Sequence, residues 1–369
     1  MRIAIDARAA VRPELGGVER WARELSARLP ALRPGGYVVL RPPAALAHRA
    51  GHAWEQAVLP LRARRAGASG LLCPANLAPL MSRRTAVVVH DAAALRDPGW
   101  YSGAYAAWQR VALPAIVRRA ATVITVSEFS RRELAELAGA DPARVAVIPG
   151  GIDERFHPGA DAERARRELG LGRPYVLCVA SHTAHKNLGA LVPAAEALAA
   201  EGLDVVIAGG YRPQFRREPI VDRERDGGRA QRAGVPGALR VLGAVSDDLL
   251  PGLYAGALAF ALPSRYEGFG LPVLEAMATG VPVVAAAAGA LPETCGGAAV
   301  LAEPEGEAFS TALTALVADD ERRVELRAAG LARAAGFTWD ATARAVDALL
   351  FSPAAAPGPS ERTPAAPVR

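Results

Sequence analysis

Short aliphatic runs bounded by turn residues recur along this chain, with stretches of helical periodicity between them. The runs RIAI (2–5), YVVL (37–40), GLLC (70–73), AVVV (86–89) and TVITV (122–126) are too short for helices and apolar on both faces. Each predicts a strand covered on both sides, as in a parallel sheet. Helical stretches at 17–29 and 103–120 lie between several of them, and Ser130-Arg-Arg-Glu133 offers a capping box for the helix after the fifth run. A second series begins after residue 174: YVLCVA (175–180), DVVIAG (204–209), RVLG (240–243), LAFALP (258–263), VPVVAA (281–286) and AAVLAE (298–303). Strand alternating with helix predicts the α/β class with right-handed crossovers, here as two doubly wound sheets. Two such sheets leave a cleft faced by the carboxyl ends of their strands, and ligands are expected there.

Length agrees with two units, since 369 residues exceed one ordinary domain. The expected division is a Rossmann-like unit over 1–165, a second over 170–337, a closing helix over 338–352 that returns to the first unit, and a tail over 353–369. The tail is rich in Pro, Ala and Ser and cannot build a core, so it is expected to be disordered. Residues 211–233 carry seven arginines and few aliphatics, and read as a solvated excursion. No apolar run reaches the roughly 18 residues of a membrane span. The first residues, MRIAIDARAA, lack a secretory pattern, so a cytoplasmic location is expected. Cys73, Cys178 and Cys295 form no C-x-x-C pair and read as buried reduced thiols.

The net charge of +5 is uneven. Residues 1–159 hold 22 Lys and Arg against 13 Asp and Glu, whereas 160–369 hold 21 against 25. A basic first half suits an anionic membrane surface, which would allow peripheral contact there, or an acidic acceptor. The arginines come as spaced doublets without interleaved aromatics, which argues against nucleic acid. Of the 43 basic residues, Lys186 is the one lysine. Where Arg is used everywhere else, a lone ammonium marks either a chance survival or a place that needs a compact point charge.

The stretch SRYEGFGLPVLEAMATG (264–280) follows an apolar strand. Pro272 suits the first turn of a helix, and Val273, Leu274, Met277 and Ala278 supply its buried face. A glycine turn that ends at a helix N-terminus offers unpaired amides and a favourable dipole to a phosphate. Gly268 and Gly270 let that backbone approach a ligand. Glu267 and Glu275 then flank the bound phosphate, each placed to accept hydrogen bonds from hydroxyls. The same spacing also occurs at an ordinary surface helix start. After the first strand, DARAAVRPELGGVER lacks G-x-G-x-x-G, which removes the main support for a dinucleotide oxidoreductase.

In context, residues 240–293 strongly resemble the retaining nucleotide-sugar glycosyltransferases of family 4, with their Glu-x7-Glu signature and GT-B fold. The resemblance extends to GGVER (16–20), VVVHDAAALRDP (87–98), TVSEFSRREL (125–134), VIPGGID (147–153), HKN (185–187) and FTWDATA (337–343), and covers about residues 1–351. It implies that Glu267 contacts the transferred sugar, Lys186 the diphosphate and Glu275 the ribose. It further implies that Gly268, Phe269, Gly270 and Leu271 cradle the distal phosphate, that Gly16 and Gly17 close over it, and that Ser181 and Val245 line the donor site. His90 is implied near the transferred sugar, although a strand-end histidine in the core would look the same. Asp91 reads first as a turn residue, and Ser127 and Glu128 as capping residues. Relatives often carry an arginine near the phosphate lysine, where ASHTAHKN has Ser181 and His185, so one phosphate cation is missing or comes from elsewhere.

The activity so implied is transfer of a sugar, with retention, from a nucleoside diphosphate sugar to an acceptor hydroxyl. No cofactor or metal is called for, because no Asp-x-Asp-type cluster is present. The phrases HKN and EGFGLPVLEAM look most like the mannosyltransferase-like branch, which makes GDP-mannose the first expected donor. The acceptor, whether small molecule, glycan or lipid-linked sugar, is left open. A nucleotide-sugar epimerase of similar fold and a non-catalytic nucleotide-sugar binder are the alternatives.

Overall fold

The computed structural model of the chain describes residues 1–12, 16–43, 53–82, 84–211, 215, 239–305 and 307–352. Most of the 211–233 excursion and the whole 353–369 tail therefore lie outside the described residues. The first sheet contains β1 (Ile3–Asp6), β2 (Tyr37–Leu40), β3 (Gly70–Cys73), β4 (Thr85–Val88), β5 (Thr122–Thr125) and β6 (Val145–Val147). Its order is β2-β1-β3-β4-β5-β6 and its pairings are parallel. The second contains β7 (Tyr175–Val179), β8 (Asp204–Ala208), β9 (Leu239–Gly243), β10 (Ala259–Leu262), β11 (Val283–Ala286) and β12 (Val300–Ala302). Its order is β12-β11-β10-β7-β8-β9, again parallel throughout. β1, β4, β8, β10 and β11 are buried along their whole length, which is why they read as unbroken apolar runs.

Both sheets have a point where strand order reverses: between β1 and β3 in the first, and between β7 and β10 in the second. Such a reversal leaves a crevice beyond the strand ends, because successive crossovers diverge to opposite faces. Lys186 follows β7, and Glu267 follows β10. The helix Gly17–Leu32 follows β1.

Two local expectations are corrected. The helix after β5 runs Glu128–Ala138 and is capped by Ser127, whose hydroxyl accepts from Ser130 N at 3.0 Å. Ser130 lies inside it and donates its hydroxyl to the carbonyls of His90 and Gly268, so the Ser130–Glu133 capping box does not form. Glu133 is drawn away to pair with Arg96. The strand β6 was not expected, since three residues at a sheet edge are too few to show a pattern.

The helix Trp339–Phe351 crosses back to the first half and packs on the helix Gly17–Leu32. Trp339 meets Trp21 edge to face at 5.7 Å. Arg33 grips Asp347 through two bonds of 2.8 and 2.6 Å, and Tyr37 adds a third at 2.9 Å. A buried Trp contributes several kcal/mol of burial, so this helix clamps the first sheet and anchors the crossing segment before it. The three cysteines are buried free thiols. No helix among the described residues is long and apolar enough to cross a membrane.

Candidate active site

A cleft of about 650 Å³ lies between the two sheets at their strand ends. Its walls include Gly16, Gly17, His90, Ser181, Lys186, Val245, Glu267, Gly268, Phe269, Gly270, Leu271 and Glu275. The structure thus brings every site residue singled out in the sequence into one place.

The helix Leu271–Ala278 begins at this cleft. Gly270 stands at its N-cap with φ of +106°, a left-handed conformation that a side chain would strain, and no side chain caps the helix end. Pro272 occupies its first turn, and Val273, Leu274 and Met277 are buried behind it. Gly268 is required for another reason. A Cβ there would sit 2.5 Å from the His90 carbonyl oxygen, so the loop can meet the first sheet only as glycine. On the opposite wall the Gly16 amide donates to Glu19 at 3.1 Å, which fixes the glycine turn at the start of Gly17–Leu32.

Charge in the cleft is organised in two pairs. Lys186 Nζ lies 2.8 Å from Glu267 Oε1, and Ser264 donates to the same oxygen at 2.8 Å. Glu275 is buried, with one oxygen 2.5 Å from Arg20 Nη1 and the other accepting from the Tyr254 hydroxyl at 2.9 Å. Burial pushes the Glu275 carboxyl above its ordinary value against the pull of Arg20. For Arg20, burial disfavours the cation, but Glu275 and Asp247 outweigh it and hold the charge firmly. Arg20 also reaches Asp247 at 3.4 Å and lies over the Phe156 ring.

His90 is buried with its ring edge-on to Trp21 at 5.6 Å, and Nε2 is 3.0 Å from the Pro74 carbonyl. That contact requires a proton on Nε2, which leaves Nδ1 as an acceptor. Burial lowers its pKa, so the ring is neutral. His90 is thus a packed strand-end histidine that also lines the cleft. Asp91 accepts from Ala93 N at 3.0 Å, as a turn residue does. Ser181 Oγ lies 3.3 Å from Thr183 Oγ1, and Phe269 packs on Phe337.

Contacts across the cleft hold the halves together. Both oxygens of Glu293 accept from the first amides of the helix Glu128–Ala138, at 2.8 and 3.0 Å. Ser127 Oγ donates to Gly268 O at 2.6 Å. Arg20, Tyr254 and Asp247 were not singled out in the sequence. Arg20 stood within the quoted GGVER, but nothing in the sequence separates it from the other arginines until its partner 255 positions away is known.

Two doubly wound sheets facing a cleft of this kind define the GT-B class of glycosyltransferase fold. The chain superposes on sucrose-phosphate synthase from Thermosynechococcus elongatus with a TM-score of 0.74, at 20% identity, over 95% of this chain and 98% of that one. It superposes on Anabaena HepE in complex with UDP and glucose with a TM-score of 0.69, at 20% identity, over 95% and 100%. In sequence, residues 160–333 match the glycosyl transferases group 1 family, and residues 63–156 match glycosyltransferase family 4. The chain is 31% identical to the O-antigen chain mannosyltransferase B of Escherichia coli, over 71% of this chain and 68% of the relative. It is 32% identical to the D-inositol 3-phosphate glycosyltransferase of Corynebacterium urealyticum, over 70% of this chain and 63% of the relative, somewhat under two thirds of that protein's length. The chain belongs to the family 4, group 1 glycosyltransferases.

Proposed function

We propose that the chain transfers a hexose, with retention and without a metal, from a nucleoside diphosphate sugar to an acceptor hydroxyl. Mannose from GDP-mannose is the first choice, supported by the likeness to an O-antigen mannosyltransferase. The observation that carries the reading is the Lys186–Glu267 pair beside an uncapped helix N-terminus, inside a cleft at the reversal points of both sheets.

On this reading the donor displaces ion pairs that are already in position. Lys186 turns from Glu267 to the diphosphate, and Glu267 accepts hydrogen bonds from the sugar. The bond from the anomeric carbon to the β-phosphate oxygen breaks, and negative charge grows on the leaving diphosphate. Lys186 and the Gly270–Leu271 amides meet that charge without reorganisation of solvent. The acceptor oxygen bonds to the same face of the anomeric carbon, and its proton passes to the leaving phosphate. His90, neutral and with Nδ1 free to accept, positions a sugar hydroxyl rather than a proton. Glu275 receives the ribose hydroxyls on lone pairs not used by Arg20 and Tyr254. On this reading Lys186 and the amides at Gly270 and Leu271, and no metal, meet the diphosphate charge. Peripheral contact of the basic first half with a membrane, in the cytoplasm, would suit a lipid-linked acceptor.

The test is turnover of GDP-mannose with a mannoside acceptor, with product configuration read by NMR. Retention, activity in EDTA, and a fall in kcat on the order of a hundredfold or more for Lys186→Ala are expected. An inverted product, loss of activity in EDTA or an unchanged Lys186→Ala enzyme would overturn the reading. The neutral His185 beside Lys186, where relatives often have a cation, favours one alternative, a nucleotide-sugar binder without turnover. Donor binding without product in the wild type would decide for it.

A further inference from the structure

One cation in the cleft comes from the opposite half to the carboxylate it serves. Arg20, on the helix Gly17–Leu32 of the first half, puts Nη1 2.5 Å from Oε1 of Glu275, which belongs to the helix Leu271–Ala278 of the second. The other oxygen, Oε2, accepts from the Tyr254 hydroxyl at 2.9 Å. Tyr254 is fully buried in the helix Leu250–Ala255, and burial, with Glu275 beside it, pushes its phenol well above the ordinary value, so it keeps the proton it donates. Each carboxylate oxygen is thus engaged by a different half of the chain, which fixes the plane of the group and leaves each oxygen a lone pair to spare.

Arg20 is itself held. Its Nη2 reaches Asp247 Oδ1 at 3.4 Å, Asp247 Oδ2 takes Arg155 Nη2 at 2.7 Å, and Arg155 Nε donates to Asp153 at 3.1 Å. The guanidinium also lies 5.4 Å from the centre of the Phe156 ring. Asp153, Arg155 and Phe156 lie in the segment after β6 that joins the halves. A row of alternating charge therefore runs from the joining segment to Glu275 and sets the guanidinium in the closed cleft.

This arrangement bears on recognition. Glu275 is 5% exposed and borders the cleft. A dry carboxylate that serves a ligand's hydroxyls rejects an analogue without them, because its buried acceptors then go unpaired. A carboxylate that has lost its cation takes up a proton or water instead, and either one replaces part of what the ligand would supply.

We propose that Arg20 is a positioning residue for the donor's ribose: reaching across the cleft, it sets the Glu275 carboxylate so that the chain selects ribonucleotide over deoxyribonucleotide donors. Selection then belongs to the closed cleft and to neither half alone. The proposal rests on the transfer reading above, which assigns the ribose to Glu275.

The experiment measures by calorimetry the Kd of GDP and of 2′,3′-dideoxy-GDP for the full chain, with UDP and its dideoxy analogue as a second pair. The wild type should bind the ribonucleotide at least about thirtyfold more tightly. Arg20→Ala should cut that ratio by about tenfold, and Arg20→Lys, which returns a cation without the planar fork, should recover part of it. Glu293→Gln, which loosens the contact between the halves elsewhere, should weaken both nucleotides alike and leave the ratio within about twofold. Tyr254→Phe, a change confined to the second half, should lower the ratio by about threefold and serves if Arg20→Ala disturbs folding. A ratio unchanged in Arg20→Ala and Tyr254→Phe, or one that falls as far in Glu293→Gln as in Arg20→Ala, would overturn the positioning role while leaving transfer intact. A wild type that binds both members of a pair equally would remove the ribose from Glu275, and the proposal with it. Absence of binding to either pair would remove the transfer reading as well.

Discussion

Removing Arg20 separates the stability of each half from the closure of the cleft. Arg20 and Glu275 sit on opposite walls, are 8% and 5% exposed, and approach to 2.5 Å. Between charge centres roughly 4 Å apart, the attraction is about 4 kcal/mol at the effective dielectric of a partly buried site. Arg20→Ala leaves Glu275 buried with Tyr254 as its remaining partner in this contact, and breaking a buried pair on one side typically costs about 3–5 kcal/mol. The carboxylate has two ways out: to take up a proton, for which burial already prepares it, or to regain water by opening the cleft. Opening is the cheaper route, because each half retains its own packed core.

The expected result is a larger radius of gyration by small-angle scattering and faster proteolysis of the segments that link the halves. The thermal midpoint should change by no more than a few degrees. Adding Glu275→Gln should restore most of the closure, with a coupling energy of about 2 kcal/mol or more in a double-mutant cycle. A variant as compact as the wild type, or single effects that simply add, would refute the idea that this pair holds the cleft shut.

Three other changes probe separate parts of the molecule. Glu293→Gln keeps the shape but removes the charge that the helix Glu128–Ala138 receives at its N-terminus, and should weaken closure by about 0.5–1 kcal/mol, read as a higher donor Kd. Gly268→Ala places a Cβ 2.5 Å from the His90 carbonyl, so strain on the order of 1–3 kcal/mol should appear as a raised donor KM with the fold retained by circular dichroism. Glu55 pairs with buried Arg8, yet burial pushes its carboxyl from 4.5 up to about 7. The folded state therefore binds more protons than the unfolded one between those values, and stability should fall as pH rises from about 4.5 to about 7, by up to roughly 3 kcal/mol in urea titrations. Glu55→Gln, which resembles the protonated carboxyl, should flatten that slope.

How far each feature was legible depends on whether its cause is local. Strands buried on both faces announce themselves, and of the twelve among the described residues only β6, a three-residue edge strand, went unseen. The start of the helix Leu271–Ala278 was legible because Gly270 and Pro272 each have a local reason to be there. The capping box at Ser130 was misplaced because Ser127 and Ser130 are equally plausible caps. In the fold Ser127 caps the helix, and the Ser130 hydroxyl is taken up by the carbonyls of His90 and, from the other half, Gly268. The pairing of Arg20 with Glu275 shares this origin. It exists only once two sheets face each other, and no periodicity within one segment encodes that meeting.

The most direct check is a thermal-shift panel of GDP-, UDP- and dTDP-sugars on the wild-type chain and on Lys186→Ala. A ligand at a hundred times its Kd stabilises the folded state by about 2.7 kcal/mol, which for a chain of 369 residues raises the midpoint by roughly 3–4 °C. One nucleotide sugar should do so, with GDP-mannose first, and Lys186→Ala should lose most of the shift. A panel in which no nucleotide sugar moves the midpoint at millimolar concentration, or one whose shift survives loss of Lys186 undiminished, would contradict a diphosphate held between that lysine and the amides at Gly270 and Leu271.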